Sequence, residues 1–250
     1  MIKLFRNIRQ KLLTENKFSK YLIYAIGEII LVVIGILIAL SINNWNETNK
    51  LDREETKLLV SLHNDFEENK TRIEETIRRQ KNVVAYSKEL IKIMSLNDTS
   101  ISQDSIARLV VVGAQSWWRT EYVTGTYDAI LSSGNINILK NDSLKRFLAA
   151  FSAEVTSGFE DHEESMNYLL EFNKLAAPIS HNLMHHREYE TFGIVKDDQA
   201  TRAAANEIIT SKTYLGLLIN KTIAEQHRFE YQLKIQSFVD EILSVLETEK

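Results

Sequence analysis

The chain has 250 residues, no cysteine and a formal net charge of −4. Residues 1–46 contain six basic and two acidic side chains, a net +4, so residues 47–250 carry −8. An acidic surface argues against nucleic acid as a partner, because nucleic-acid binding requires clustered Lys and Arg on the phosphates. The absence of cysteine excludes disulfides, thiol nucleophiles and cysteine-based metal sites.

Residues 21–42 form one apolar stretch that contains a single charged residue, Glu28. Because about 20 apolar residues cross a lipid bilayer as a helix, we predict a transmembrane helix here. Bases dominate before the stretch and acids after it, which predicts a cytoplasmic segment 1–20 and an exported domain 43–250. The stretch is too long for a cleaved signal peptide, so we expect a retained anchor.

The predicted fold class is all-α, with a transmembrane helix that continues into an irregular helical bundle. The chain has one proline, eight glycines and no long alternating run typical of strands. The first helix is predicted to end at a polar turn, residues 96–105. A short helix is predicted at 104–115, and a second short helix is predicted to end at residue 132. A long helix is predicted from 142 to a break at Pro178. Three more helices are predicted from Pro178 to 189, at 201–210 and at 212–246.

Three local features accompany these helices. Gly134 is predicted to form a left-handed turn, and Asn141 or Asp142 to cap the helix that follows. Apolar spacing places one face of the last helix in the core: Leu215, Leu218, Ile219, Ile235, Phe238, Ile242 and Val245.

Two segments resemble an uncharacterised family of single-pass membrane proteins from Bacteroidetes-type bacteria. The more specific one is GEIILVVIGILIALSINNWNE (residues 27–47), which follows the basic stretch FRNIRQKLLTENKFSKYLIYAI (residues 5–26). Relatives usually carry Gln at the position of Ser41. The other segment is TYDAILSSGNINILKNDSLKRFL (residues 126–148). The resemblance implies an inner-membrane protein of a Gram-negative cell with a periplasmic domain, and it implies no activity.

Four residues of the apolar helix share one face: Glu28, Gly35, Ala39 and Asn46 fall within about 40° at 100° per residue. Gly35 and Ala39 allow close backbone approach, and an acid inside a membrane normally faces protein. We therefore predict a helix–helix interface with a second copy of this chain or with another envelope protein. The alternative is that Glu28 reaches the inner membrane interface or is protonated.

Histidines supply the candidate metal site. His181 and His185 are four residues apart on the predicted post-proline helix, and His162 could join them from the neighbouring helix. This set would support an alternative function, a periplasmic metal-dependent hydrolase. The HExxH motif is absent, however, and His162 falls on an apolar stripe, where a hydrogen-bonded core histidine is the other interpretation.

Adjacent tryptophans precede a basic residue at Trp117, Trp118 and Arg119, and we predict a partner or ligand contact there. The alternative is simple packing under a loop. No nucleophile elbow, Walker loop or dinucleotide fingerprint occurs, and no cofactor is predicted. The favoured function is therefore a membrane-anchored, non-enzymatic helical module: a scaffold, sensor or accessory subunit of the cell envelope.

Overall fold

The computed structural model describes residues 18–184 and 186–249, and every regular element in these residues is helical. This confirms the all-α prediction. The α-helices are α1 (Phe18–Leu96), α2 (Gln103–Arg108), α3 (Gly125–Ser132), α4 (Asp142–Ser157), α5 (Phe159–Ser180), α6 (His186–Phe192), α7 (Asp198–Thr210) and α8 (Lys212–Thr248). The chain divides into two compact units, residues 1–57 and 58–250.

The first unit contains the apolar part of α1. Among the described residues, α1 is the one helix long and apolar enough to cross a membrane, with an 18-residue window of mean hydropathy 2.8 that is entirely unburied. Its apolar side chains are exposed, including Ile23 at 71% and Ile42 at 61%. Continuous apolar exposure of this extent suits lipid rather than water, which is consistent with a membrane anchor.

The second unit contains two apolar cores, and helices α1 and α8 contribute to both. The first core consists of Leu62, Phe66, Ile73, Tyr127, Ile130, Leu139, Leu144, Leu148, Phe151, Ile235, Val239, Ile242, Leu243 and Leu246. The second consists of Leu90, Ile93, Met94, Ile106, Leu109, Val110, Ala114, Phe172, Ala176, Leu183, Ala204, Ala205, Ile208, Ile209, Tyr214 and Leu218. Each fully buried Leu, Ile or Phe contributes about 1.5–3 kcal/mol to folding.

The buried face of α8 is polar between these cores. Four side chains with at most 1% exposure follow Leu218 and precede Ile235 at intervals of three or four residues: Lys221, Glu225, Arg228 and Gln232. They continue the helical stripe that the apolar residues begin. The predicted core face was therefore wrong at Ile219, which is 39% exposed. Choosing core positions by apolar character alone missed a face that includes charged residues.

Two predicted helices are divided in the structure. The helix expected at 104–115 is α2 followed by a π-helical turn, Leu109–Ala114. The long helix expected after 142 is divided at Gly158, where a Cβ atom would lie 2.1 Å from Cζ of Tyr231. A side chain at Gly158 would therefore require the ring of Tyr231 to move, and this contact lies where α4 changes to α5.

The expected helix start at Pro178 is also wrong. Pro178 lies inside α5, which ends two residues later at Ser180 and is followed by a 3₁₀ turn, His181–Leu183. Proline has no N–H to donate to the carbonyl four residues earlier, but in the last helical turn this loss affects a single bond.

The predicted turn and cap are confirmed. Gly134 has a φ of 70°, in the left-handed region. Oδ1 of Asn141 accepts hydrogen bonds from the backbone N–H groups of Ser143 at 2.9 Å and Leu144 at 3.0 Å. Side-chain caps of this kind satisfy N–H groups that the first helical turn leaves without partners.

Candidate functional site

Residues 115–124 have no regular secondary structure, and we call them the crossing segment because they bond to both long helices. On α1, Asn69 donates to the carbonyl of Val123 at 2.9 Å and accepts from its N–H at 2.7 Å. On α8, Oε1 of Gln232 accepts from the hydroxyls of Thr120 at 3.2 Å and Tyr122 at 3.0 Å. Backbone without regular structure needs such partners when it is buried.

Three buried charged residues of α8, which we call the buried triad, hold the other half of the crossing segment. Nζ of Lys221 donates to the carbonyl of Ser116 at 3.0 Å, and Nη2 of Arg228 donates to the carbonyl of Trp118 at 2.5 Å. The third member, Glu225, lies 2.9 Å from Nη1 of Arg228 and 3.5 Å from Nζ of Lys221. The two cations therefore share one carboxylate.

Glu225 also binds neutral donors from two other helices. Nε2 of Gln80, on α1, donates to Glu225 at 3.1 Å, and the hydroxyl of Ser165, on α5, donates at 2.6 Å. Removing charges from water costs several kcal/mol per ion, and it is tolerated when every lone pair and proton finds a partner. Burial also lowers the pKa of Lys221, against the opposing effect of Glu225.

A surface pocket of about 380 Å³ lies beside the triad, and we call it the Trp117 pocket. It is lined by Trp117, Arg119, His162, Glu163, Met166 and Asn167. The indole of Trp117 stands edge-on to the ring of His162, with centroids 6.1 Å apart. On the indole face, the guanidinium carbon of Arg228 lies 4.5 Å from the ring centroid, a cation–π contact. The triad thus fixes an aromatic wall of the pocket.

The hydrogen bond to Arg228 fixes the tautomer of His162. Nε of Arg228 donates to Nδ1 of His162 at 3.0 Å, so the neutral ring carries its proton on Nε2. Burial, together with the positive charges of Arg228 and Arg119, lowers the pKa of His162 from 6.5 to about 4. At neutral pH the ring therefore carries a hydrogen-bond donor at Nε2 and has no free lone pair.

The structure brings together residues from two separate sequence hypotheses. Trp117 and Arg119, from the predicted partner contact, line the same pocket as His162, from the predicted metal set. Trp118 is 39% exposed and stacks against Arg79, whose guanidinium carbon is 4.0 Å from the ring centroid. The hydrogen bond from Arg228 favours the core-histidine interpretation of His162.

His181, another predicted metal ligand, does not line this pocket. His181 is exposed in the 3₁₀ turn, and His185 lies outside the described residues, so a metal site there stays a prediction. Among the described residues, metal-ligating atoms gather within 4.8 Å of one another at His63, Glu67 and Glu247. One imidazole and two carboxylates suit zinc. Glu67 and Glu247 are exposed, however, and a weak 3.9 Å contact between His63 and Glu67 accounts for part of the cluster.

The four residues of the predicted membrane interface all lie on α1, whose unbroken helix keeps them on one face. A Cβ atom added to Gly35 would meet nothing within 4 Å, so this position is open to a neighbouring helix.

A family match covers residues 28–154, just over half of the chain. The chain belongs to a family of unknown function (DUF6090). The matched region includes most of the apolar stretch and the whole crossing segment, and it ends before His162 and the buried triad. No curated protein and no solved structure matches the chain. Family membership therefore establishes relatedness and supplies no activity.

Sequence reasoning missed the buried triad and Gln80. A signal existed, because Lys221, Glu225, Arg228 and Gln232 have the spacing of a buried helical face.

We predict that His162 makes stability depend on pH. Below pH 6.5 the unfolded chain protonates this ring, whereas the folded chain does so only below about pH 4. The free energy of unfolding therefore falls as the pH is lowered through this window. His162→Gln keeps an acceptor for Arg228 and does not titrate, so this variant should lose less stability than the wild type between about pH 7 and about pH 5.

Denaturant unfolding of both proteins at the two pH values measures the difference. His227→Gln, an exposed change on the same helix as Arg228, is the control and should behave as the wild type. An equal loss of stability in wild type and His162→Gln would contradict the assignment.

Proposed function

We propose that the protein is a membrane-anchored, non-enzymatic binding module that acts as a sensor or accessory subunit of the cell envelope. The state of His162 is the observation that carries this proposal. A general base needs a free lone pair and a pKa near the working pH, but Nδ1 of His162 is occupied by Arg228 and its pKa is about 4. A donor held in one tautomer beside an aromatic wall suits binding better than proton transfer.

One helix, α1, contributes both to the anchor and to the surroundings of the buried triad. Helix α1 contains both the apolar stretch and Gln80, which bonds to the triad. The basic residues before the stretch and the acidic residues after it support a cytoplasmic N-terminus. We propose a bacterial inner membrane with residues 43–250 in the periplasm, in keeping with the Gram-negative source that the sequence resemblance implies.

The orientation can be tested with single cysteines, because the chain contains none of its own. We predict that Thr99→Cys, in an exposed turn, reacts with a membrane-impermeant maleimide in spheroplasts. Gln10→Cys should react only after the membrane is permeabilised, since we place residue 10 in the cytoplasm.

Labelling is measured by the mass shift of the purified chain, with the cysteine-free wild type as the control. Labelling of Gln10→Cys in intact spheroplasts, with Thr99→Cys protected, would overturn the proposed orientation.

The shared face of α1 supports a partner within the membrane, and we propose that this partner is a second copy of the chain. Gly35 and Ala39 let two backbones come close, and Glu28 lies on the same face. A second copy of the chain would make it self-associate, whereas a different envelope protein as partner would leave the chain monomeric on its own.

We predict that Gly35→Leu and Glu28→Leu each weaken self-association in a membrane two-hybrid assay by about fivefold or more, since packing and polar contacts between membrane helices contribute about 1–2 kcal/mol. Ile36→Leu is the matched control, because residue 36 points away from the four residues of the shared face by about 60–100°. Equal signals from all three variants would eliminate the self-association interface.

A further inference from the structure

We infer that the Trp117 pocket binds a small organic carboxylate through the Arg119 guanidinium and the Nε2–H group of His162. This inference rests on the proposed function as a binding module and names the chemistry of its ligand.

The tautomer of His162 is fixed before any ligand arrives, whereas the side chain of Arg119 is exposed. Nε2 of His162 carries the proton because Arg228 occupies Nδ1. Arg119 offers five N–H donors, and its Nη2 lies 3.2 Å from the carboxylate of Glu121. A donor that is already oriented costs little further ordering when an acceptor binds. The ligand group that suits a guanidinium and an imidazole N–H is an anionic oxygen pair.

Buried charge strengthens the preference for an anion. The guanidinium of Arg228 stays charged at any physiological pH, and its Nε lies 3.0 Å from Nδ1 of His162. The combined field of Arg228 and Arg119 opposes a second cation on the imidazole ring, against a smaller opposite effect of Glu225. The same field attracts a negative ligand group that binds at the opposite nitrogen of that ring, Nε2.

The remaining walls define the body of the ligand. The indole of Trp117 and the thioether of Met166 provide apolar surface, and Trp117 is held by the cation–π contact with Arg228. A volume of about 380 Å³ falls within the usual range for small-molecule sites. The site therefore suits a carboxylate with a short aryl or alkyl group, and an aryl group can stack on the indole.

The charge of Glu163 predicts the direction in which ligand affinity should change when this residue is replaced. It is an exposed carboxylate on the pocket wall, so it repels a carboxylate ligand. Glu163→Gln should tighten the binding of a carboxylate, whereas it should weaken the binding of a ligand that also presents an ammonium group. A gain of affinity is informative because a misfolded variant does not produce one.

Isothermal titration of the full chain in lipid nanodiscs tests the inference, with phenylacetate as the probe and phenylacetamide as its uncharged counterpart. We expect phenylacetate to bind one site per chain, about tenfold or more tighter than phenylacetamide. Arg119→Gln should weaken phenylacetate binding about tenfold, and Glu163→Gln should tighten it about threefold. Two exposed changes outside the pocket wall, Arg202→Gln and Glu164→Gln, are the matched controls and should leave the affinity unchanged.

Equal affinity for the acid and the amide, no binding of phenylacetate, or weaker binding by Glu163→Gln would each overturn the carboxylate assignment. Binding of inorganic phosphate in place of phenylacetate would overturn it as well. The cysteine labelling pattern separates this failure from that of the proposed function. If labelling follows the proposed orientation, only the ligand class is wrong; if it is reversed, the envelope module itself is wrong.

Discussion

The interior of the helical unit depends on the carboxylate of Glu225. It accepts hydrogen bonds from Arg228, Gln80 and Ser165 and balances the charge of Lys221, so it links α1, α5 and α8 at one point. A buried ion pair seldom adds net stability over an apolar core, because desolvation offsets the attraction. Removing one partner is costly, however, so such a network specifies an arrangement even where it adds little energy.

The buried triad supplies hydrogen-bond donors to backbone carbonyls of the crossing segment. Residues 115–124 lack the backbone pairing of a helix, and two of their carbonyls, at Ser116 and Trp118, receive hydrogen bonds from Lys221 and Arg228. Leucines in place of these two cations would pack against the cores but leave the carbonyls without donors. The guanidinium of Arg228 also orients His162 and supports Trp117. Arg228 therefore contributes both to the fold of the crossing segment and to the geometry of the Trp117 pocket.

Much of the fold follows from sequence, because it is encoded locally. The apolar stretch, the end of α1 at Leu96, the Asn141 cap and the left-handed Gly134 are each determined by nearby residues. The division at Gly158 was not predictable in this way. Gly158 lies against Tyr231, which is 73 residues away in the chain and fills the space that a side chain at Gly158 would need. Tertiary contacts of that kind leave no local signal.

Part of the Trp117 pocket was predicted from local sequence, and the part that depends on tertiary contacts was not. Trp117 and Arg119 were predicted as a contact because Trp and Arg are enriched among the residues that contribute most to binding. The cation–π partners of the two tryptophans, Arg228 and Arg79, lie on the two long helices, and no spacing rule connects them to the tryptophans. Charged residues on a helix are ordinarily read as solvated, so the triad was missed although its spacing matched the buried face.

The most direct test of the role of Glu225 is the free energy of unfolding of Glu225→Gln, measured beside Glu241→Gln. Both changes remove one carboxylate from α8, but Glu225 is 1% exposed and Glu241 is on the solvent side. If Glu225 balances the two buried cations, its replacement should cost about 3–5 kcal/mol, and the exposed change less than about 0.5 kcal/mol. Equal stability of the two variants would contradict the central role of Glu225.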